Sequence, residues 1–172
     1  VCSSDLLIDQ AEDLKARSGA PLQLVGIGVK DSSKPRPGIP QELITSNISE
    51  LIAKDIDILV EVMGGIEPAR THILDAMSRG ISVVTANKEL LAKDGATLYA
   101  AAEKNNVDLY FEASVAGAIP LLRPLRESLV GDKVLKVLGI VNGTTNYILT
   151  KMDETGARLD RNSTRLNSSH VA

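Results

Sequence analysis

Residues 7–18 (LIDQAEDLKARS) place Leu7, Ile8, Ala11 and Leu14 on one face at helical spacing, and Gly19-Ala20-Pro21 closes the helix this predicts. The apolar run LQLVGIGV (22–29) predicts a buried strand, followed by a polar loop rich in Pro and Gly at 30–40. A short helix is expected over 48–54, capped by Ser46 or Asn47. DIDILVEVMGG (55–65) reads as a second strand running into a double-glycine turn. Pro68 then stands where a helix N-terminus tolerates proline, and that helix runs to Gly80. ISVVTA (81–86) is a third strand, and 89–106 a helix that Gly95 can interrupt. VDLYFEASVAG (107–117) predicts a fourth strand, 119–132 a helix, and KVLKVLGIVN (133–142) a fifth strand.

Strand and helix alternate, and the strands are apolar throughout rather than at every second residue. That is the pattern of a parallel sheet covered on both faces. The expected fold class is α/β, a Rossmann-like doubly wound parallel sheet. Ligands bind such sheets at the carboxyl ends of the strands. Those ends here are residues 29–31, 63–65, 85–88 and 112–117, which hold most of the unusual residues. A dinucleotide fold opens with a strand and G-x-G-x-x-G, yet only VCSSDL precedes the first helix. Gly26 and Gly28 lie within a strand, with Asp31 where a third glycine would fall. The sheet is therefore expected to lack its first strand. Residues 1–6 and 158–172 read as foreign or disordered, the latter ending in the aperiodic RNSTRLNSSHVA. Between them, 7–120 is expected to form an incomplete NAD(P)-binding domain. Residues 121–157 are expected to form a linker helix and the start of an α+β substrate and dimerisation domain.

Composition narrows the function classes. Aromatics make up 2% of the 172 residues, with no Trp, which argues against base stacking on nucleic acid. The net charge of −3 predicts no broad basic face for nucleic acid or anionic membrane. No apolar run approaches the roughly 20 residues of a membrane span. Cys2 is the single cysteine, which excludes an internal disulfide and thiolate clusters, and a cytoplasmic setting is the default. His72 and His170 are too isolated to carry chemistry.

Lys88 is the residue local physics does not explain. With Thr85 or Asn87 as N-cap, it falls in the first turn of a helix. A cation there faces the positive end of the macrodipole, at a cost of roughly 0.3–1 kcal/mol when exposed. A solvated lysine snorkelling from the first turn is one reading; a functional ammonium is the other.

Four segments decide between them. VEVMGGIEPA (60–69), VVTANKELLAKDG (83–95), YFEASVAGAIPLLRPLRESLVGD (110–132) and VLGIVNGTTNYILTKM (137–152) resemble homoserine dehydrogenase, in that family's order and spacing, over roughly residues 7 to 157. The resemblance implies reduction of L-aspartate 4-semialdehyde to L-homoserine with NADPH or NADH, on the route to threonine and methionine. It implies a Rossmann domain followed by a substrate and dimerisation domain, in a homodimer. It places the Lys88 ammonium between nicotinamide and substrate, where the carbonyl oxygen gains negative charge, and Gly64 and Thr85 against the cofactor; a plain tight turn into the Pro68 helix is the other reading of Gly64.

Lys30 and Asp31 stand side by side where ribose specificity is set, with Lys34 and Arg36 nearby. This basic cluster leans towards NADPH, with a solvated loop as the alternative. The resemblance also implies a sodium ion on main-chain oxygens of Glu112, Val115, Gly117 and Ile119; a plain strand-to-helix connection is the other reading. Asn142, Gly143 and Thr144 border the substrate by resemblance, and capping of the YILTKM helix is compatible with that. The family's proton-donor lysine and the acidic residues that bind the substrate's amino group have no counterpart here, so the chain by itself is expected to have little or no activity. Another Rossmann-type carbonyl or amino-acid dehydrogenase, or a non-catalytic nucleotide-binding or oligomerising module, are the alternatives.

Overall fold

A computed structural model describes residues 3–34, 36–117, 119–139 and 143–156. The chain divides into two compact units, Val1–Leu122 and Arg123–Ala172.

The first unit begins with helices α1 (Ser3–Asp9) and α2 (Ala11–Ser18). One helix was expected over 7–18, but Gln10 leaves helical backbone (φ −108°, ψ 21°) and splits it. Gly19, left-handed at φ 78°, ends α2 by donating to the Lys15 carbonyl. Strand β1 (Ile27–Gly28) pairs in parallel with β2 (Ile44–Thr45) and extends only to the bond from Val29 N–H to Thr45 O at 2.9 Å. The strand expected over 22–29 is therefore far shorter: among the described residues β2 is its one ladder partner, and it is itself two residues long. Helix α3 (Ile48–Ile52) follows, and Asn47 Oδ1 caps it by accepting from Glu50 N–H.

The second sheet carries the candidate site. Strands β3 (Ile58–Glu61), β4 (Ser82–Thr85) and β5 (Leu109–Tyr110) are parallel in the order β3-β4-β5. Helix α4 (Ala69–Ser78) joins β3 to β4, and α5 (Lys88–Asn105) joins β4 to β5. The interruption foreseen at Gly95 lies one residue earlier, at Asp94 (φ −140°). There the Asp94 carboxylate binds Arg70 Nε from α4 and accepts from Thr97 Oγ1 at 2.5 Å. The Arg70 and Thr97 hydrogen bonds hold the Asp94 carboxyl below the usual carboxylate range.

Register aligns Leu59, Val83 and Leu109 on one face, together with Glu61 and Thr85. That face packs on Ile52, Ala69, Ile73, Ala76, Met77, Leu90 and Leu98, an aliphatic core as the composition requires. The other face presents Ile58, Val60 and Tyr110, each about half exposed. Covering on both faces was expected; among the described residues, helices cover one. This is nonetheless the α/β arrangement of a Rossmann-like domain, with right-handed parallel crossovers expected on general grounds.

After Tyr110 the chain leaves the sheet. Glu112–Ser114 forms a 3₁₀ turn, and the fourth strand expected to Gly117 stops short. The Glu112 carboxylate accepts from Leu121 and Leu122 N–H at 2.6 and 2.8 Å, and Ala116 and Gly117 both take left-handed backbone.

Of the helix expected over 119–132, residues 122–128 are helical, with Pro124–Ser128 wound as a π-helix. No strand forms over 133–139, where Leu135 and Leu138 are at least 80% exposed. The fifth strand fails in this described part because, among the described residues, no neighbouring strand satisfies its main chain. Helix α6 spans Gly143–Thr155. Among the described residues no helix is long and apolar enough to cross a membrane.

Candidate functional site

The carboxyl ends of β3 and β4 lie side by side because Glu61 pairs with Thr85 in register, and Ala86 N–H donates to the Glu61 carbonyl at 3.1 Å. A carboxylate at that position is unusual: Glu61 is 3% exposed in an otherwise apolar strand. A buried charge must be compensated by hydrogen bonds or neutralised. Here three donors converge on it. Met63 and Gly64 N–H donate to Oε1 at 2.8 and 3.1 Å, and Thr85 Oγ1 donates to Oε2 at 2.5 Å.

The network continues into α5. Thr85 Oγ1 accepts from Asn87 N–H at 3.0 Å. Asn87, 4% exposed, uses both ends of its amide. Oδ1 caps α5 by accepting from Leu90 N–H at 3.1 Å, and Nδ2 donates to the Gly65 carbonyl at 2.6 Å. One continuous chain of hydrogen bonds therefore ties residues 63–65 to the first turn of α5. Lys88, the first residue of that helix, is exposed beside it.

The turn itself needs glycine. Gly64 and Gly65 sit at φ 77° and 74°, a region L side chains rarely adopt, and a Cβ at either would meet no atom within 4 Å. The constraint is conformational, and the space above the turn is open. Because Glu61 already occupies the Met63 and Gly64 amides, they are not available to cradle a phosphate. What remains is a flat, side-chain-free main-chain surface suited to a ring.

The structure thus brings Gly64, Thr85 and Lys88 together. Thr85 is 1% exposed, and its hydroxyl is committed within the network. Lys30 is exposed after β1, in the other sheet. In its loop Asp31 accepts from Ser33 N–H and Oγ, with Lys34 Nζ at 3.8 Å, and the Ser33 bonds hold its carboxyl below the usual range. Glu112, Val115, Gly117 and Ile119 line the irregular segment after β5; there the Glu112 and Ala116 carbonyls accept from Val115 and Ile119 N–H. Asn142 lies outside the described residues, while Gly143 and Thr144 open α6 in the second unit. The sequence reading missed Glu61 as a site residue and gave Asn87 a capping role alone. The signal for Glu61 was available: an acid inside the apolar run 58–63, directly before two glycines.

A parallel α/β sheet with an open glycine turn and a capped helix start at its carboxyl edge belongs to the α/β class of domains that bind ligands at the ends of their strands. Residues 5–112 match the family model described as "Homoserine dehydrogenase, NAD binding domain", and 120–165 match "Homoserine dehydrogenase". The chain belongs to the homoserine dehydrogenase family. The homoserine dehydrogenase of Mycobacterium tuberculosis is 61% identical over 153 residues, 88% of this chain and 34% of that protein. Among solved structures, the Thiobacillus denitrificans homoserine dehydrogenase superposes with a TM-score of 0.76 at 40% identity, covering 88% of this chain and 36% of that one. A hyperthermophilic archaeal homoserine dehydrogenase mutant in complex with NADPH gives 0.55 at 36% identity, over 63% of this chain and 34% of the other. The chain spans about a third of the length of the relatives it matches.

Proposed function

We propose that the protein carrying this chain is an NAD(P)H-dependent homoserine dehydrogenase that reduces L-aspartate 4-semialdehyde to L-homoserine. The observation that carries this reading is the joined pair of Lys88 and the Gly64-Gly65 turn at adjoining strand ends. When bound, a nicotinamide cofactor would supply the hydride for the aldehyde carbon. The open main-chain surface at Gly64 and Gly65 fits its ring, since no side chain stands over it. Lys88 supplies a preplaced ammonium for the charge that grows on the aldehyde oxygen. Such a group lowers the barrier only because it binds the transition state more strongly than the ground state. The macrodipole cost at its position is about 1 kcal/mol at most, against about 2.7–4 kcal/mol for loss of an oxyanion-type donor.

NADPH is favoured over NADH by Lys30, Lys34 and Arg36, and by the archaeal relative's complex. Asn142, Gly143 and Thr144 are assigned to the substrate by resemblance. A sodium ion would draw on main-chain oxygens of Glu112, Val115, Gly117 and Ile119. These donors fit a hard cation in kind, although the Glu112 carbonyl already accepts one N–H. A homodimer acting in the cytoplasm, on the threonine and methionine route, completes the reading.

The test is Lys88→Ala in the full-length protein. Turnover should fall by about 10²–10³-fold, with the cofactor still bound. Turnover close to the parent's would reject the assignment.

A further inference from the structure

We infer that Glu61 is a positioning residue: its buried carboxylate fastens the Gly64-Gly65 turn to the start of α5 and so sets the gap between the nicotinamide surface and the Lys88 ammonium. This rests on the role proposed for Lys88.

Three observations carry it. Glu61 reaches both halves of the site at once, through Oε1 to the amides of Met63 and Gly64 and through Oε2 to Thr85. Thr85 passes the constraint to Asn87 N–H, and Asn87 returns it to the Gly65 carbonyl while capping α5. The loop of contacts is closed, so neither half can shift without breaking a bond to a buried group. Moreover, among the described residues none of the contacts made by the Glu61 side chain is an ion pair. Three neutral donors balance its charge, each fixed in direction by main chain or by a β-branched side chain. A carboxylate placed merely to stabilise the sheet would be an expensive choice there, since well-packed apolar residues serve as well or better. Its geometry instead solves a positional problem. An anion under the turn also fills the pair of amides that would otherwise attract a phosphate, which leaves the glycine surface to an uncharged or cationic ring.

The experiment uses the full-length protein and four variants: Glu61→Gln, Thr85→Val, Thr85→Ser and Lys88→Ala. Gln keeps the size of the side chain but offers one acceptor oxygen instead of two. Val removes the hydroxyl bridge while keeping the β-branched shape, and Ser keeps the hydroxyl. Rates are taken per folded molecule, well below each variant's melting temperature. Glu61→Gln should lower kcat by about 10²-fold, the scale of a misplacement near 1 Å, and raise the Kd of the reduced cofactor. Thr85→Val should follow in the same direction, and Thr85→Ser should restore both values. In the cofactor-free protein, amide exchange at residues 63–65 and 87–90 should quicken in Glu61→Gln and Thr85→Val. If both variants keep kcat and cofactor Kd within about twofold of the parent, the positioning role is overturned, even where melting temperature falls. If Lys88→Ala keeps parental turnover, the reading beneath it fails instead.

Discussion

Asn87 gives the sharpest stability test, because one side chain performs two separable tasks. Replacing it by Ala removes the cap on Leu90 N–H, worth about 1 kcal/mol within a range of roughly 0.5–2. It also removes the 2.6 Å bond to the Gly65 carbonyl, worth a further 0.5–1.5 kcal/mol or so. The residue is 4% exposed, so water cannot freely replace either partner. The expected loss is therefore about 2 kcal/mol. Asn87→Asp separates the tasks. It retains the capping oxygen and places an anion at the helix N-terminus, which favours it by about 0.3–1 kcal/mol. Yet it sets a carboxylate oxygen against the Gly65 carbonyl where a donor stood. Asp should consequently recover part of the loss and leave the glycine turn loosened.

Urea unfolding followed by far-UV circular dichroism measures the difference, provided the slope against denaturant is unchanged. A midpoint for Asn87→Ala corresponding to less than about 0.5 kcal/mol, the usual range for surface substitutions, would refute the reasoning. Such a result would mean that the cap and the Gly65 bond contribute little in solution. An Asp variant no better than Ala would separately refute the division of labour.

Two further outcomes follow from the packing and the charges. Met77 is fully buried among Ile73, Leu98 and the sheet, so Met77→Ala should destabilise by about 2–5 kcal/mol in the same assay. Asp94 has its carboxyl held low by the Arg70 and Thr97 bonds, so its contribution is present above the ordinary carboxylate value of about 3.9 and is lost as pH falls through the lowered folded value. Asp94→Asn should lower the melting temperature at pH 7 and flatten its decline between about pH 5 and 2, as read by thermal scans at a series of pH values.

The turns and caps of the site unit were the most legible part of the sequence. Asn47 and Asn87 cap the helices they precede, Gly64 and Gly65 form the foreseen turn, and Pro68 stands just before α4. These are local effects, decided by a few neighbouring residues. Strand extent was not legible, because a strand lasts only as long as its neighbour. Residues 22–29 and 107–117 are as apolar as β3, yet β1 and β5 are two residues each. The same dependence leaves 133–139 without a strand. Strand β2 went unseen because two residues carry no period.

The site was legible to the degree that its residues broke a local rule. Lys88 is a cation at the wrong end of a helix, and Glu61 is an anion inside an apolar strand. Each costs free energy where it stands, and Glu61 recovers only part of that cost from its own segment. Glu61 finds one donor two residues on, one three residues on, and the third on the next strand, 24 residues away. That last bond is what sequence could not disclose, since it depends on parallel pairing of β3 with β4 in one register. A slip of one residue would turn Thr85 to the opposite face and strand the carboxylate without its third donor. The register that packs Leu59, Val83 and Leu109 on the core is thus the same one that closes the polar network. The apolar core fixes which way the strands face, and the network fixes how far the turn stands from the helix that bears the lysine.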